Sequence, residues 1–375
     1  MIAYNNKWLH SLYARDQADD ALDNGCINTR IHEQIYSNNP TGFYTPNIWG
    51  RIGIALLTVL TISFSMGFFG LIFSLFDSPA ASLIMGGLIT YAALELLIIR
   101  RMNHYNSGSD NVLIAIAAVC LIYGINTGIS AGREEHFILL SLCPVIICTW
   151  LAIRFADSLM SIAAVISCMA FLLFVCIELG DVAKAFAPFV LMGGSVATCV
   201  ITGKAATQHR WVLYRYCLQC ACITSLILLY LSGNYFLVKE SANELFHKHQ
   251  GIHEPITLGW FFWLWTIALP FVYIGLGIRN KSAILIRTGL VLVGVIIFTY
   301  RYYYSVLSPD KAMCLGGIIL ILISYSLIRY LHIPKHGFTF DREARRSERG
   351  DIHEALAEHV INKGAGKERD NSDWS

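Results

Sequence analysis

Between residues 52 and 331 the chain repeats one pattern about ten times, a run of mostly apolar residues followed by a short polar break. The runs are roughly 18 to 25 residues long, enough at about 1.5 Å per residue to cross a hydrocarbon layer about 30 Å thick. Lipid offers the backbone no hydrogen-bond partner, so each run must satisfy its own amides as a helix. The runs lie near 52–76, 80–99, 111–130, 136–153, 158–177, 185–203, 216–238, 258–278, 283–300 and 312–331.

Composition closes the alternatives. Hydrophobic residues make up 55% of the chain and charged residues only 14%, where a soluble domain carries about 25% charged residues. A water-exposed surface of that makeup would aggregate. Disorder and a collagen-like helix are excluded, since apolar residues dominate and the 29 glycines show no period of three. A net charge of +2 without a basic, aromatic-interleaved platform argues against nucleic acid as a partner. The expectation is an all-α polytopic integral membrane helix bundle of about ten transmembrane helices, whose main partner is the lipid bilayer. Its parts are a helical head over 1–48, a bundle over 49–332 and a basic tail over 333–375.

Lys and Arg set the expected orientation, because they are enriched in cytosolic loops. With the N-terminus in the cytosol, only Arg133, Lys184, Lys239, Lys248, Arg301 and Lys311 of the 28 basic residues fall outside. Both termini are then cytosolic. Trp260, Trp263 and Trp265, and Tyr300, Tyr302, Tyr303 and Tyr304, fall at the expected outer interface, where amphipathic rings settle. The first 48 residues are polar, so the first span is expected to act as an uncleaved signal. Of 11 cysteines, ten lie in spans and Cys26 in the head, which argues against a disulfide framework.

The ends carry their own patterns. In the head, Trp8, Leu12, Ala18 and Leu22 share one helical face, and after Asn24-Gly25 a narrower stripe runs through Ile27, Ile31 and Ile35. The tail begins with Arg342, Arg345, Arg346 and Arg349, expected to attract anionic lipid headgroups at about 1 kcal/mol each. Beyond them Asp351 and Glu354 open a short amphipathic helix through Ile352, Leu356, His359 and Val360, which stops at Gly364.

Trp8 in a short helical head, then Gly42-Phe43-Tyr44-Thr45-Pro46-Asn47 and Arg51-Ile52-Gly53, resembles a group of uncharacterised bacterial multi-pass membrane proteins, known as membrane domains of unknown function. Arg287-Thr288-Gly289-Leu290, Tyr300-Arg301-Tyr302 and Gly316-Gly317 resemble the end of the same group. The resemblance covers about the first 76 and last 60 residues. It implies a bacterial cytoplasmic (inner) membrane and no particular chemistry.

Four features carry residue types capable of chemistry. Gly128-Ile129-Ser130-Ala131-Gly132 matches the G-x-S-x-G of serine hydrolases, yet it ends a membrane helix where the motif requires a strand-to-helix elbow. Cys217, Cys220 and Cys222 could present thiolates to a metal, but a helix turns Cys222 away from the other two. His247, His249 and His253 in the outer loop 239–257 could hold zinc or copper, with Glu244 and Glu254 nearby. Glu95 and Arg287 lie several residues inside their spans at matching depth from the cytosolic boundary, roughly 7 to 9 Å. Burying a charge alone is costly, so either they pair, if their helices touch, or each snorkels separately to the nearby headgroups. No phosphate loop, H-E-x-x-H or dinucleotide fingerprint occurs, so no cofactor is expected. Three readings remain: a carrier or channel, a scaffold acting through head and tail, and, weakest, a membrane-embedded hydrolase. A carrier requires a cavity within the bundle; a scaffold requires a packed one.

Overall fold

Among the described residues the backbone satisfies itself almost wholly within helices, and no strand forms beyond one isolated bridge between Tyr44 and His104. The computed structural model describes residues 2–73, 78–130, 137–246, 258–303 and 309–332. The tail arginines 342, 345, 346 and 349 and the histidines 247, 249 and 253 lie outside these residues.

Two short helices come first, α1 (Asn6–Asp23) and α2 (Thr29–Asn38). The long helices are α3 (Ile48–Phe73), α4 (Pro79–Ala93, continued by a π-helical turn Leu94–Ile99), α5 (Ser109–Ser130), α6 (Phe137–Phe155), α7 (Ser158–Glu178), α8 (Asp181–Thr207) and α9 (Arg215–Gly233). They are followed by α10 (Tyr235–Phe246), α11 (Gly259–Arg279), α12 (Ala283–Tyr303) and α13 (Pro309–His332). Eight of these helical segments are long and apolar enough to cross a membrane, and α12 and α13 hold shorter apolar stretches, Ala283–Ile297 and Gly316–Tyr330.

The described chain divides into two units. One comprises residues up to His10 and 41–306. Within it each helix packs chiefly on its chain neighbour: α4 on α5, α6 on α7, α8 on α9, and α11 on α12. Helix α9 ties the pairs together, since it also touches α7, α11 and α12. Large side chains that point away from these contacts, such as Phe64, Phe68 and Val291, stay exposed, as lipid-facing residues do. Among the described residues three apolar clusters result, the smallest around Tyr235 and Phe262. Leu94, Ile114, Leu151 and Phe155 anchor the first, together with Tyr4 and Leu9 from the N-terminal segment. Met192, Leu229, Tyr230, Tyr273 and Leu292 form the second.

The ends of α4, α6 and α8 share one side with the starts of α5, α7 and α9, and residues 2–10 dock there. The Ala3 amide donates to the Arg154 carbonyl at 2.9 Å, while the Tyr4 hydroxyl donates to Asp110 at 3.3 Å. Rings of Tyr4, Phe43 and Tyr105 pack edge-on and stacked, with centroids 5.0 to 6.1 Å apart. Gly42 is needed beneath Trp8: a Cβ there would lie 2.6 Å from two atoms of the indole.

The second unit holds residues 11–40 and 307–375. In its described part, Arg15 joins α1 to the end of α2 by donating to the carbonyls of Asn39 (2.8 Å) and Tyr36 (3.1 Å). Asp19 accepts from the Tyr36 hydroxyl and contacts the His32 ring at 2.7 Å. Slight burial pushes its carboxyl up, but the His32 and Tyr36 hydrogen bonds together hold it below the usual carboxylate range.

One expected span is revised. The run 216–238 is not a single helix, because α9 stops at Gly233 and α10 starts afresh at Tyr235. Asn234 makes the break. It is 1% exposed and has extended backbone, and its Oδ1 accepts from the amides of Phe236 (3.0 Å) and Leu237 (3.4 Å) as an N-cap of α10. Its Nδ2 donates to Tyr230 (3.1 Å) and Thr299 (3.2 Å). The first part of the expected outer loop is therefore a helix.

Candidate functional site

Two places in the first unit concentrate polar groups at the edge of the apolar bundle. The first is the side where the N-terminal segment docks. Glu95 sits in the π-helical turn, where the Arg100 amide bonds back five residues to the Glu95 carbonyl at 3.2 Å. A π turn brings residue i+5 round toward residue i, and π turns recur at functional sites. Arg100 accordingly donates to Glu95 Oε1 at 3.1 Å, and Arg154 from the last turn of α6 donates to the same oxygen at 2.5 Å. The Glu95 and Arg154 side chains are mostly buried, at 13% and 24% exposure.

This corrects the expected Glu95–Arg287 pair. Among the described residues Glu95 is held by Arg154 and Arg100, while Arg287 lies exposed on α12. Equal depth did not decide the partner; the direction each helix presents did. Arg154 was legible as the last basic residue of its span, but it reads there as a boundary marker.

Beside this pair Asp110 opens α5, 1% exposed. Its carboxylate accepts from the amides of Asn106 (2.6 Å) and Ser107 (2.9 Å), the Ser107 hydroxyl (3.2 Å) and Tyr4. Burial and then the Asp110 charge push the Tyr4 hydroxyl well above its ordinary value, so it remains a donor. Asp157 caps α7 through the Met160 amide at 2.8 Å, and burial outweighs that bond and raises its carboxyl. Every group in this cluster has a protein partner, and the cluster reads as a clasp that closes one end of the bundle.

The second place is on the opposite side. The ends of α7 and α9, the first half of α8, the start of α11 and the whole of α10 enclose a cavity of about 590 Å³. Its depth is apolar, with Met169, Leu173, Leu191, Leu228, Leu231 and Phe262. Its polar groups are few: Lys184 from α8, Ser241 and Asn243 from α10, Ser232 from α9, and Ser195 further along α8. Among the described residues Lys184 is the one charged residue in the lining, and its side chain is 21% exposed. It pairs at 3.1 Å with Asp181, which is 81% exposed and outside the lining. Pro188 lacks an amide, so the Lys184 carbonyl four residues earlier loses its usual helical donor. Asn243 Oδ1 is buried without a hydrogen-bond partner among the described residues, a costly arrangement unless something else supplies a donor.

The remaining sequence candidates do not converge here. Ser130 ends α5 as a helix terminus rather than an elbow, and residues 131–136 lie outside the described ones. Cys217 is buried and Cys222 faces Cys199 of α8 with sulfurs 3.4 Å apart, so the three cysteines do not share a centre. Among the described residues no group of three or more His, Cys, Asp or Glu could hold a metal ion. Comparison of the chain with known families, curated proteins and solved structures finds no match.

Proposed function

We propose that this chain is a carrier of a small molecule, with about ten spans in a bacterial cytoplasmic membrane and both ends in the cytosol. The observation that carries the reading is the cavity between α7, α8, α9, α10 and α11, whose size falls in the usual range for ligand sites of about 300 to 1,000 Å³. A scaffold has no use for such a space, and dispersion forces favour filling it. The clasp on the opposite side fits the same reading, since a carrier closed at one end is open to ligand at the other. The sidedness follows from the basic residues, which put the clasp in the cytosol and the cavity toward the outside.

Sidedness is tested by labelling. A cysteine placed within 239–257 should react with a membrane-impermeant maleimide added to whole cells, and one within 342–362 should react only after lysis. The reverse pattern would overturn the orientation.

Carriage itself is tested at Leu228, which lines the depth of the cavity and is only partly buried. Measured over the native cysteine background, Leu228→Cys should react from outside in whole cells and from the cytosolic face in inverted vesicles. Reaction from the outside alone would leave a binding protein and remove the carrier.

A further inference from the structure

We infer that the cavity takes an anionic amphiphile, a long hydrocarbon chain ending in a carboxylate or phosphate, with the head at Lys184 and the chain along α8. The inference rests on the cavity identified above, but not on transport.

Three observations fix the class. First, the lining sorts by depth. Lys184 and Ser195 are eleven residues apart on α8, or about 16 Å, and the wall between and opposite them is built of Phe189, Leu191, Leu173, Leu228 and Leu231. A compact hydrophilic solute would lose its hydration there and find few partners in return. A hydrocarbon chain loses nothing.

Second, the polar groups gather at the mouth. A Lys ammonium has three donors, and the exposed contact with Asp181 uses one of them at a site where such pairs are weak. An acidic head is the group that completes it. Asn243, whose Oδ1 has no partner among the described residues, carries an amide that can turn either face to the head and so donate to an anion or accept from a protonated acid. Glu178, Glu240 and Glu244 are also near this end of the bundle, but they are exposed and none lines the cavity.

Third, the mouth opens toward lipid. Phe186 belongs to the lining and yet is 58% exposed, and its neighbours Val182 and Val190 are 75% and 41% exposed. An amphiphile already held in the outer leaflet can therefore enter sideways, chain first, without crossing water.

The test is equilibrium binding to the purified full chain, stripped of lipid in a neutral maltoside detergent. Radiolabelled palmitate should bind saturably, hexadecanol should compete about tenfold more weakly, and acetate should not compete. Tenfold is what one charge-assisted contact of about 1.4 kcal/mol supplies. Lys184→Gln should bring palmitate and hexadecanol to within about threefold of each other. Ala242→Trp and, separately, Leu173→Trp should each fill the cavity and abolish palmitate binding; either suffices, provided its melting temperature stays close to native. Phosphatidylglycerol competing more strongly than palmitate identifies a phospholipid as the source of the anion, and weaker competition identifies a free fatty acid. Equal affinity for palmitate and hexadecanol in the native chain, or palmitate binding untouched by a folded filling variant, would overturn the inference. Because binding is read without transport, one-sided labelling at Leu228→Cys together with palmitate binding would remove the carrier and keep the ligand.

Discussion

Replacing Arg154 by Gln should destabilise the purified protein by about 2 to 4 kcal/mol, and Glu95→Gln should cost a similar amount. Removing one partner of a buried ion pair costs about 3 to 5 kcal/mol, because the survivor is left charged and poorly solvated. The lower figure applies here because the two side chains keep 24% and 13% exposure. Arg100 remains near Glu95 when Arg154 is removed, but it is 62% exposed and so a weak substitute. The double variant should recover part of the loss, since a pair in direct contact couples by about 0.5 to 3 kcal/mol. Arg287→Gln should change stability by less than about 0.5 kcal/mol, as exposed positions usually do. Denaturant melts of the native protein, these four variants and the Glu95→Gln/Arg287→Gln double read all of this. Additive losses for Glu95 and Arg154, or coupling between Glu95 and Arg287, would contradict the observed pairing.

Asn234→Leu should cost about 3 kcal/mol and also abolish palmitate binding. The leucine removes the cap of α10, worth about 1 kcal/mol, and strands the Tyr230 and Thr299 hydroxyls at about 1 kcal/mol or more each. Without the break, α9 is free to run on through Tyr235 to Val238, all apolar, and α10 no longer covers the cavity. Asn234→Asp keeps the capping oxygen and should retain the break, losing the two bonds donated by Nδ2 and taking up a proton because the carboxyl is buried. A leucine variant that melts like the native protein and still binds palmitate would show that Asn234 sets neither the break nor the cavity.

Those two sites mark where sequence reasoning stopped. Hydropathy read the long helices well, because a segment in lipid has only one way to satisfy its amides and needs a fixed length to do it. The head's two helices were legible too: Gly25, at φ +69°, adopts a conformation that favours glycine, and it follows the stripe ending at Leu22. Hydropathy could not see the break at Asn234. Tyr235, Phe236, Leu237 and Val238 are as apolar as the residues before them, so the run looks continuous although a fully hydrogen-bonded asparagine interrupts it. The partner of Glu95 failed for a different reason. Depth along a helix follows from counting residues and pointed to Arg287, but the partner depends on which helices touch and how far a side chain reaches, and α6 brings Arg154 from the boundary to Glu95. The cavity was least legible of all. Its lining comes from five helices: four have ordinary apolar sequences marked only by Lys184 near Pro188, and the fifth, α10, begins in the expected span 216–238 and ends in the expected outer loop.

The docking of residues 2–10 has a consequence for how the protein is made. Tyr4 is separated from Asp110 by 106 residues, and the Arg154 carbonyl that receives the Ala3 amide lies further on, in the last turn of α6. At roughly 5 to 20 residues per second, residues 2–10 leave the ribosome about 8 to 30 seconds before their binding place exists. Four long helices must be in place before the segment can settle, so its docking is a late event in synthesis and a report that α3 to α6 have been placed correctly.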